Sequence, residues 1–350
     1  MDLKTLRKNA REKLQGYCRV CPICDGHVCA GEVPGMGGAG TGSAFMNNLA
    51  ALAKYRLNMR TIHSVKIPDM SFDLWGEKLT MPVLIAPMTG TPYNMGGKMT
   101  EEKFITEIVE GSLLAGTISM TGDGADPVMY ESGLQAGVAH PHKTIAIIKP
   151  RAQDEIIKCI RRAEAAKVLA IGMDIDGAGL ITMALKGQPV SPKTVAEVKE
   201  IVAATKLPFI LKGIMNAEEA QLAVKVKAAG IVVSNHGGRV LDFTPGTAEV
   251  LPGIVKQVRG KMKIFVDGGV RSGADVLKLL ALGADAVLVG RPLVVGAFGN
   301  GREGVSFLLN KMKNELLQTM LLTGTASVKK VAKNILYSGA GENGHNRNRK

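Results

Sequence analysis

Asn235-His236-Gly237-Gly238-Arg239 sets an imidazole and a guanidinium three residues apart, on a backbone that two glycines free to turn sharply. A neutral imidazole accepts a proton near neutral pH, and a guanidinium grips a carboxylate through two parallel hydrogen bonds. Asp174 is a carboxylate able to orient that imidazole and to stabilise its protonated form. Lys212 closes the apolar run Phe209-Ile-Leu-Lys. It reads as an ammonium facing a cofactor, as a Schiff-base amine, or as a surface chain lying along apolar neighbours. Asp267-Gly268-Gly269-Val270-Arg271 and Gly290-Arg291 combine glycines with cations. Bare backbone N–H groups admit an anion closely, so these segments suit a phosphate; the plainer reading is a pair of tight turns.

A second set of reactive groups lies near the N-terminus. Cys18, Cys21, Cys24 and Cys29 follow the spacing Cys-x2-Cys-x2-Cys-x4-Cys, while Cys159 stands alone. Four thiolates so close can hold zinc or an iron–sulfur cluster, and the alternatives are free thiols or a subunit contact. The glycine-rich stretch 34–42 follows no clear strand, and glycine content alone is weak support for a phosphate cradle.

A regular alternation must position these residues. Short apolar runs of strand length occur at Val83–Ala86, Thr117–Met120, Ile145–Ile148, Leu169–Met173, Phe209–Leu211, Ile231–Ser234, Ile264–Val266 and Ala286–Val289. Segments of helical period separate them at Glu101–Leu114, Ala152–Ala166, Thr194–Ala204, Ala217–Ala228 and Gly273–Leu282; the connection between the second and third strands is weakly helical. Eight strand–helix units favour an α/β (β/α)8 barrel over an open sheet, and runs apolar on both faces fit a buried parallel sheet. Such a barrel works at the C-terminal ends of its strands. Those ends carry Pro87-Met88, Asp174 and Asp176, Lys212, the His236 loop, the Asp267 loop and Gly290-Arg291, so the candidate residues converge on one mouth.

The expected organisation is an N-terminal helical and Cys/Gly-rich extension over residues 1–80 packing on the barrel, the barrel over 81–337, and a disordered tail over 338–350. A formal charge of +13 raises nucleic acid as a partner, but the basic residues are scattered and only 4% of residues are aromatic, so none is expected. No apolar run reaches the roughly 18–20 residues that cross a bilayer, and the N-terminus is charged, without the apolar core of an export signal. The expectation is a cytoplasmic protein with no membrane association.

Val233-Ser-Asn-His-Gly-Gly-Arg-Val-Leu-Asp242 closely resembles the active-site signature of the FMN-dependent α-hydroxy-acid oxidase and dehydrogenase family, which includes glycolate and lactate oxidases. The resemblance extends through Pro82–Met88, Ile210–Gly213, Ile264–Gly273 and Leu282–Pro292, and spans roughly residues 45–320. It implies an FMN enzyme that oxidises a small 2-hydroxy acid to the 2-oxo acid, with His236 as base and flavin N5 as hydride acceptor. It further implies Arg239 on the substrate carboxylate, Asp174 paired with His236, and Lys212 beside flavin N1. Ala86, Pro87, Met88 and Ser234 would contact the ring, with Asp267, Gly268, Gly269, Arg271, Gly290 and Arg291 around the ribityl phosphate. A homo-oligomer, a tetramer by resemblance, is the implied assembly. Other readings are an FMN barrel of another class, such as one like the type 2 isopentenyl-diphosphate isomerases, and a flavin- or metal-linked redox sensor. The family usually has tyrosines in its N-terminal segment and on its third strand, and a second arginine after the fourth. Pro34–Thr41, Thr144–Ile148 and Asp174–Leu180 lack them, and the cysteine segment is extra. The resemblance therefore leaves the substrate unidentified.

Overall fold

Runs of Val, Ile, Leu and Phe, too short for a helix and apolar on both faces, pair side by side into a closed parallel barrel. The structure is a computed structural model that describes residues 1–180, 183 and 186–337; the tail expected to be disordered lies outside them. The barrel strands are β1 (Val83–Ile85), β2 (Ser119–Thr121), β3 (Thr144–Ile148), β4 (Ala170–Asp174), β5 (Phe209–Ile214), β6 (Gly230–Val233), β7 (Lys263–Val266) and β8 (Ala286–Val289). Each strand pairs with the next, and β8 pairs with β1, for example Leu288 opposite Leu84, which closes the ring. All eight expected strands form, displaced by a few residues at most.

The principal helices are α1 (Leu3–Lys13), α2 (Ser43–Lys54), α3 (Glu101–Leu114), α4 (Pro127–Ala139), α5 (Gln153–Ala165), α6 (Val195–Ala203), α7 (Ala217–Lys225), α8 (Thr247–Val258), α9 (Gly273–Ala281) and α10 (Arg291–Thr323). The weakly helical connection is in fact the well-formed α4. Its periodicity is faint because small residues, Ser132, Gly133 and Gly137, face inward while apolar Val138 and Ala139 are exposed. Gly133 and Gly137 bring it so close that a Cβ would meet Thr121 and the Ala166 carbonyl.

Side-chain parity divides the core in two. Leu84, Met120, Ile145, Ile147, Ile210, Val232, Phe265 and Leu288 fill the barrel interior. Val83, Ile85, Ala146, Ile148, Ile231, Val233, Val287 and Val289 point outward under the helices. Each such chain, wholly buried, contributes about 1.5–3 kcal/mol. A hairpin absent from the sequence reading, Phe72–Leu74 with Glu77–Leu79, packs into the interior cluster. Its turn, Trp75-Gly76, has φ of 51° and 93° at the two positions, and the tryptophan is a poor sequence signal for such a turn. The Trp75 ring meets Phe265 edge-on at 6.1 Å. The N-terminal extension packs on the barrel through α1, whose Asn9 amide donates to the Gly299 carbonyl near the kink of α10 at Asn300 and Gly301.

Phe265→Ala should lower the unfolding free energy by about 3–5 kcal/mol. Trp75 is the single tryptophan, so its fluorescence should shift in the same variant; unchanged urea midpoint and emission would reject this hairpin–barrel contact.

Candidate active site

Strand parity carries the interior one layer higher. Above Ile147 comes Lys149, above Gly172 comes Asp174, above Ile210 comes Lys212, above Val232 comes Ser234 and above Phe265 comes Asp267. The apolar core thus ends in a ring of buried polar and charged groups. Lys149 Nζ lies 2.7 Å from Asp174 Oδ2, and Lys212 Nζ lies 3.1 Å from Asp174 Oδ1 and 3.9 Å from Asp267. Burial works against the Asp174 carboxylate, but the Lys149 and Lys212 ammoniums outweigh it and hold its pKa far below the usual range. Burial likewise opposes the Lys212 charge, yet Asp174, Asp176 and Asp267 raise its pKa. Lys212 is therefore a fixed ammonium and not a free amine, which removes the Schiff-base reading.

The expected pairing of Asp174 with His236 is not what forms. Asp174 is occupied by two lysines, and His236 Nδ1 lies 3.0 Å from Asp176 Oδ1. Asp176 arrives from the turn Ile175–Gly179 after β4. A register shift in β5 brings Gly213 against it, where a Cβ would stand 2.5 Å from Asp176 Cβ, so only glycine lets the two loops meet. A carboxylate only accepts, so Nδ1 carries the proton and Nε2 keeps its lone pair. Burial lowers the His236 pKa, Asp176 partly offsets this, and Lys212 lowers it further. Burial and Lys212 thus favour the neutral imidazole, the form that can act as a base. Asp174, Asp176 and His236 also have ligand-like spacing, within 4.8 Å of one another, but two ammoniums on Asp174 oppose a cation there.

His236 itself holds a left-handed conformation, φ 58°, followed by Gly237 at 65° and Gly238 at 79°. A non-glycine residue rarely adopts it, and neighbours hold it there. His236 N–H donates to Ser234 Oγ at 3.0 Å, and Asn235 Oδ1 accepts from Asn48 Nδ2 and Gly238 N–H at 2.8 and 3.1 Å. Asp242 accepts from Thr41, Ser43 and Ala44, tying the loop to the start of α2.

Lys212, His236, Arg239, Asp267, Gly268, Gly269, Arg271, Gly290 and Arg291 line one cleft with Ala86, Pro87 and Met88. Ser234 does not: it is fully buried behind the wall, accepting from His236 N–H and Lys212. Asp267 is in the wall, but beside Lys212, and an anion there suits a hydroxyl better than a phosphate. Burial, Arg239 and Arg271 together pull the Arg291 pKa down to about 9. Arg291 Nη2 and Arg239 Nε are buried without a partner. Crowded cations with idle donors are a receptor for anions.

The sequence reading missed Asp176 as the histidine's partner and Lys149, Asp123 and Arg151 altogether. Arg151 pairs with the buried Asp123 and donates to Gln188 at 2.8 Å. Parity could have revealed Lys149, two places beyond the inward-facing Ile147; Asp123 and Arg151 lie in loops, where no period applies. The four cysteines do line one cavity, but no three of their sulfurs lie within 4.8 Å of one another. They are not gathered around a single ion such as zinc.

The sequence profile of FMN-dependent dehydrogenases matches residues 35–183 and 180–338. The 2-hydroxyacid oxidase 2 of Bos taurus is 32% identical over 321 residues, covering 83% of this chain and 88% of its own. Glycolate oxidase of Spinacia oleracea is 30% identical over 323 residues, covering 82% and 85%. A crystal structure of mandelate oxidase superposes with a TM-score of 0.78 at 27% identity, covering 96% of this chain and 97% of that one.

Asp174→Asn leaves Lys149 and Lys212 without their shared carboxylate, and should lower the unfolding free energy by about 3–5 kcal/mol in urea titrations. Wild-type stability would mean that other groups neutralise the two ammoniums.

Proposed function

The chain belongs to the FMN-dependent dehydrogenases, in the branch of the 2-hydroxy-acid oxidases, and on that premise we propose that it oxidises a small 2-hydroxy acid with His236 as base. The carrying observation is the neutral, buried imidazole whose Nδ1 faces Asp176, beside an arginine with an idle donor in the same cleft. Arg239 takes the substrate carboxylate and so places the hydroxyl toward His236 Nε2. Asp176 fixes the tautomer and steadies the imidazolium once the proton has moved. It fills the role expected of Asp174.

The residues fit FMN. Arg271 and Arg291 would hold its phosphate, the backbone at Gly268, Gly269 and Gly290 lines the same cleft, and Asp267 would accept from a ribityl hydroxyl. Ala86, Pro87 and Met88 form the wall for a flat ring, and the Lys212 ammonium favours negative charge on it. When bound, FMN supplies the two-electron acceptor for the substrate's α-carbon.

At the end of β3, where the resemblance leads one to expect a phenol, the inward layer carries Lys149, already engaged by Asp174. This supports a substrate other than glycolate or lactate, with a single guanidinium, Arg239, for its carboxylate.

Purified protein should be yellow with bound FMN, and a colourless protein that takes up none would sink the assignment. His236→Ala should keep its flavin yet slow anaerobic bleaching by the hydroxy acids that reduce wild type by roughly 10²–10⁴-fold. Bleaching at the wild-type rate would remove His236 as base. Because burial lowers its pKa, the bleaching rate should be flat at neutral and higher pH and fall as acid protonates the imidazole. Asp176→Asn should move that fall to still lower pH and slow the reaction, since Asp176 raises the His236 pKa. An unmoved profile would reject Asp176 as the partner.

A further inference from the structure

Cys18, Cys21, Cys24 and Cys29 take no part in the chemistry above, yet all four line one cavity of about 370 Å³ between the N-terminal segment and the start of α10. That space is far more than a bare metal ion requires. Four thiolates on one zinc, with bonds of ~2.3 Å, would stand only about 3.8 Å apart. No three of these sulfurs lie within 4.8 Å of one another. Four thiols thus share the wall of one cavity without three of them standing close enough to bind one ion. We infer that this cavity is the seat of a [4Fe–4S] cluster held by the four thiolates.

Three further observations support a cluster. The run Cys18-x2-Cys21-x2-Cys24 has the spacing with which short loops wrap such clusters, and Cys29 supplies the fourth thiolate. The segment has no helix or strand from residue 18 to 33, and Val20 takes a left-handed φ of 49°. Arg11 holds that bend by donating to the Arg19 and Val20 carbonyls at 3.1 Å. The surroundings suit a thiolate-bound cluster, whose net charge is negative. Arg271 Nη2 lies 3.4 Å from Cys24 Sγ and its Nε donates to the Cys24 carbonyl at 3.1 Å, while buried Val20, Met36, Leu293 and Met312 form apolar wall.

Arg271 and Arg291 line both this cavity and the cleft assigned to FMN, so the cluster stands beside the flavin's phosphate end. A cluster passes one electron at a time. The two electrons released when a 2-hydroxy acid becomes a 2-oxo acid then leave singly, to two equivalents of an external one-electron carrier, and the two protons go to solvent. This role rests on the flavin reading; the cluster site does not.

The test is iron, acid-labile sulfide, zinc and flavin analysis of the full chain, purified without oxygen and reconstituted with ferrous iron and sulfide. About four irons and four sulfides per chain are expected, with a paramagnetic signal after dithionite. Cys21→Ser and Cys24→Ser should lose at least half of the iron with unchanged circular dichroism, and Cys159→Ser should lose none. One zinc per chain, or wild type holding less than one iron, overturns the cluster whatever the variants do. Because flavin is measured on the same samples, yellow protein without iron refutes the cluster alone, and iron without flavin refutes the flavin reading alone.

Discussion

The charged ring at the barrel mouth rests on one interaction: a single carboxylate, Asp174, shared by two buried ammoniums, Lys149 and Lys212. Unpaired, each charge would cost several kcal/mol at that depth. Paired, they hold Lys212 protonated and pointing into the cleft, where its field favours negative charge on a ring. The same ammonium lowers the His236 pKa, and so helps keep the base neutral. Removing the central carboxylate would therefore disturb stability and the electrostatics of the cleft together.

The N-terminal segment completes the site as well as covering it. Asn48 of α2 reaches Asn235, Thr41 and Ser43 engage Asp242, and the Ala39 N–H donates to the Gly238 carbonyl at 2.8 Å. These bonds restrain a loop whose left-handed histidine would otherwise relax toward commoner angles. Further along, Arg271 and Arg291 donate to carbonyls of the same segment, Cys24 and Met36. The arginines that await a phosphate are thus oriented by the chain that carries the cysteines. Both arginines, with Met36, line the two cavities at once.

Eight strands were legible because parallel barrel strands are apolar on both faces and alternate with amphipathic helices, a pattern local enough to read. α4 was obscured because Gly133, Gly137 and Ser132 sit on its buried face while Val138 and Ala139 are exposed, which erases the amphipathic stripe. The hairpin was hidden behind a turn built on Trp75. In the site, His236, Arg239, Lys212 and the paired glycines were legible from type and strand-end position. The choice between Asp174 and Asp176 was not, because a single residue separates them and the packing of the turn against Gly213 brings Asp176 to the imidazole.

By itself the sequence determined the barrel, the mouth at which chemistry occurs, the family and its flavin. The barrel and its mouth follow from periodicity, and the family and its flavin from the resemblance that the short motifs carry. Tertiary structure alone decided which carboxylate holds the base, that Lys149 stands in the ring, that Lys212 is paired with buried carboxylates, and that four cysteines line one cavity. Each depends on distances between separate strands or loops, and a linear order of residues carries no such distances until the barrel closes.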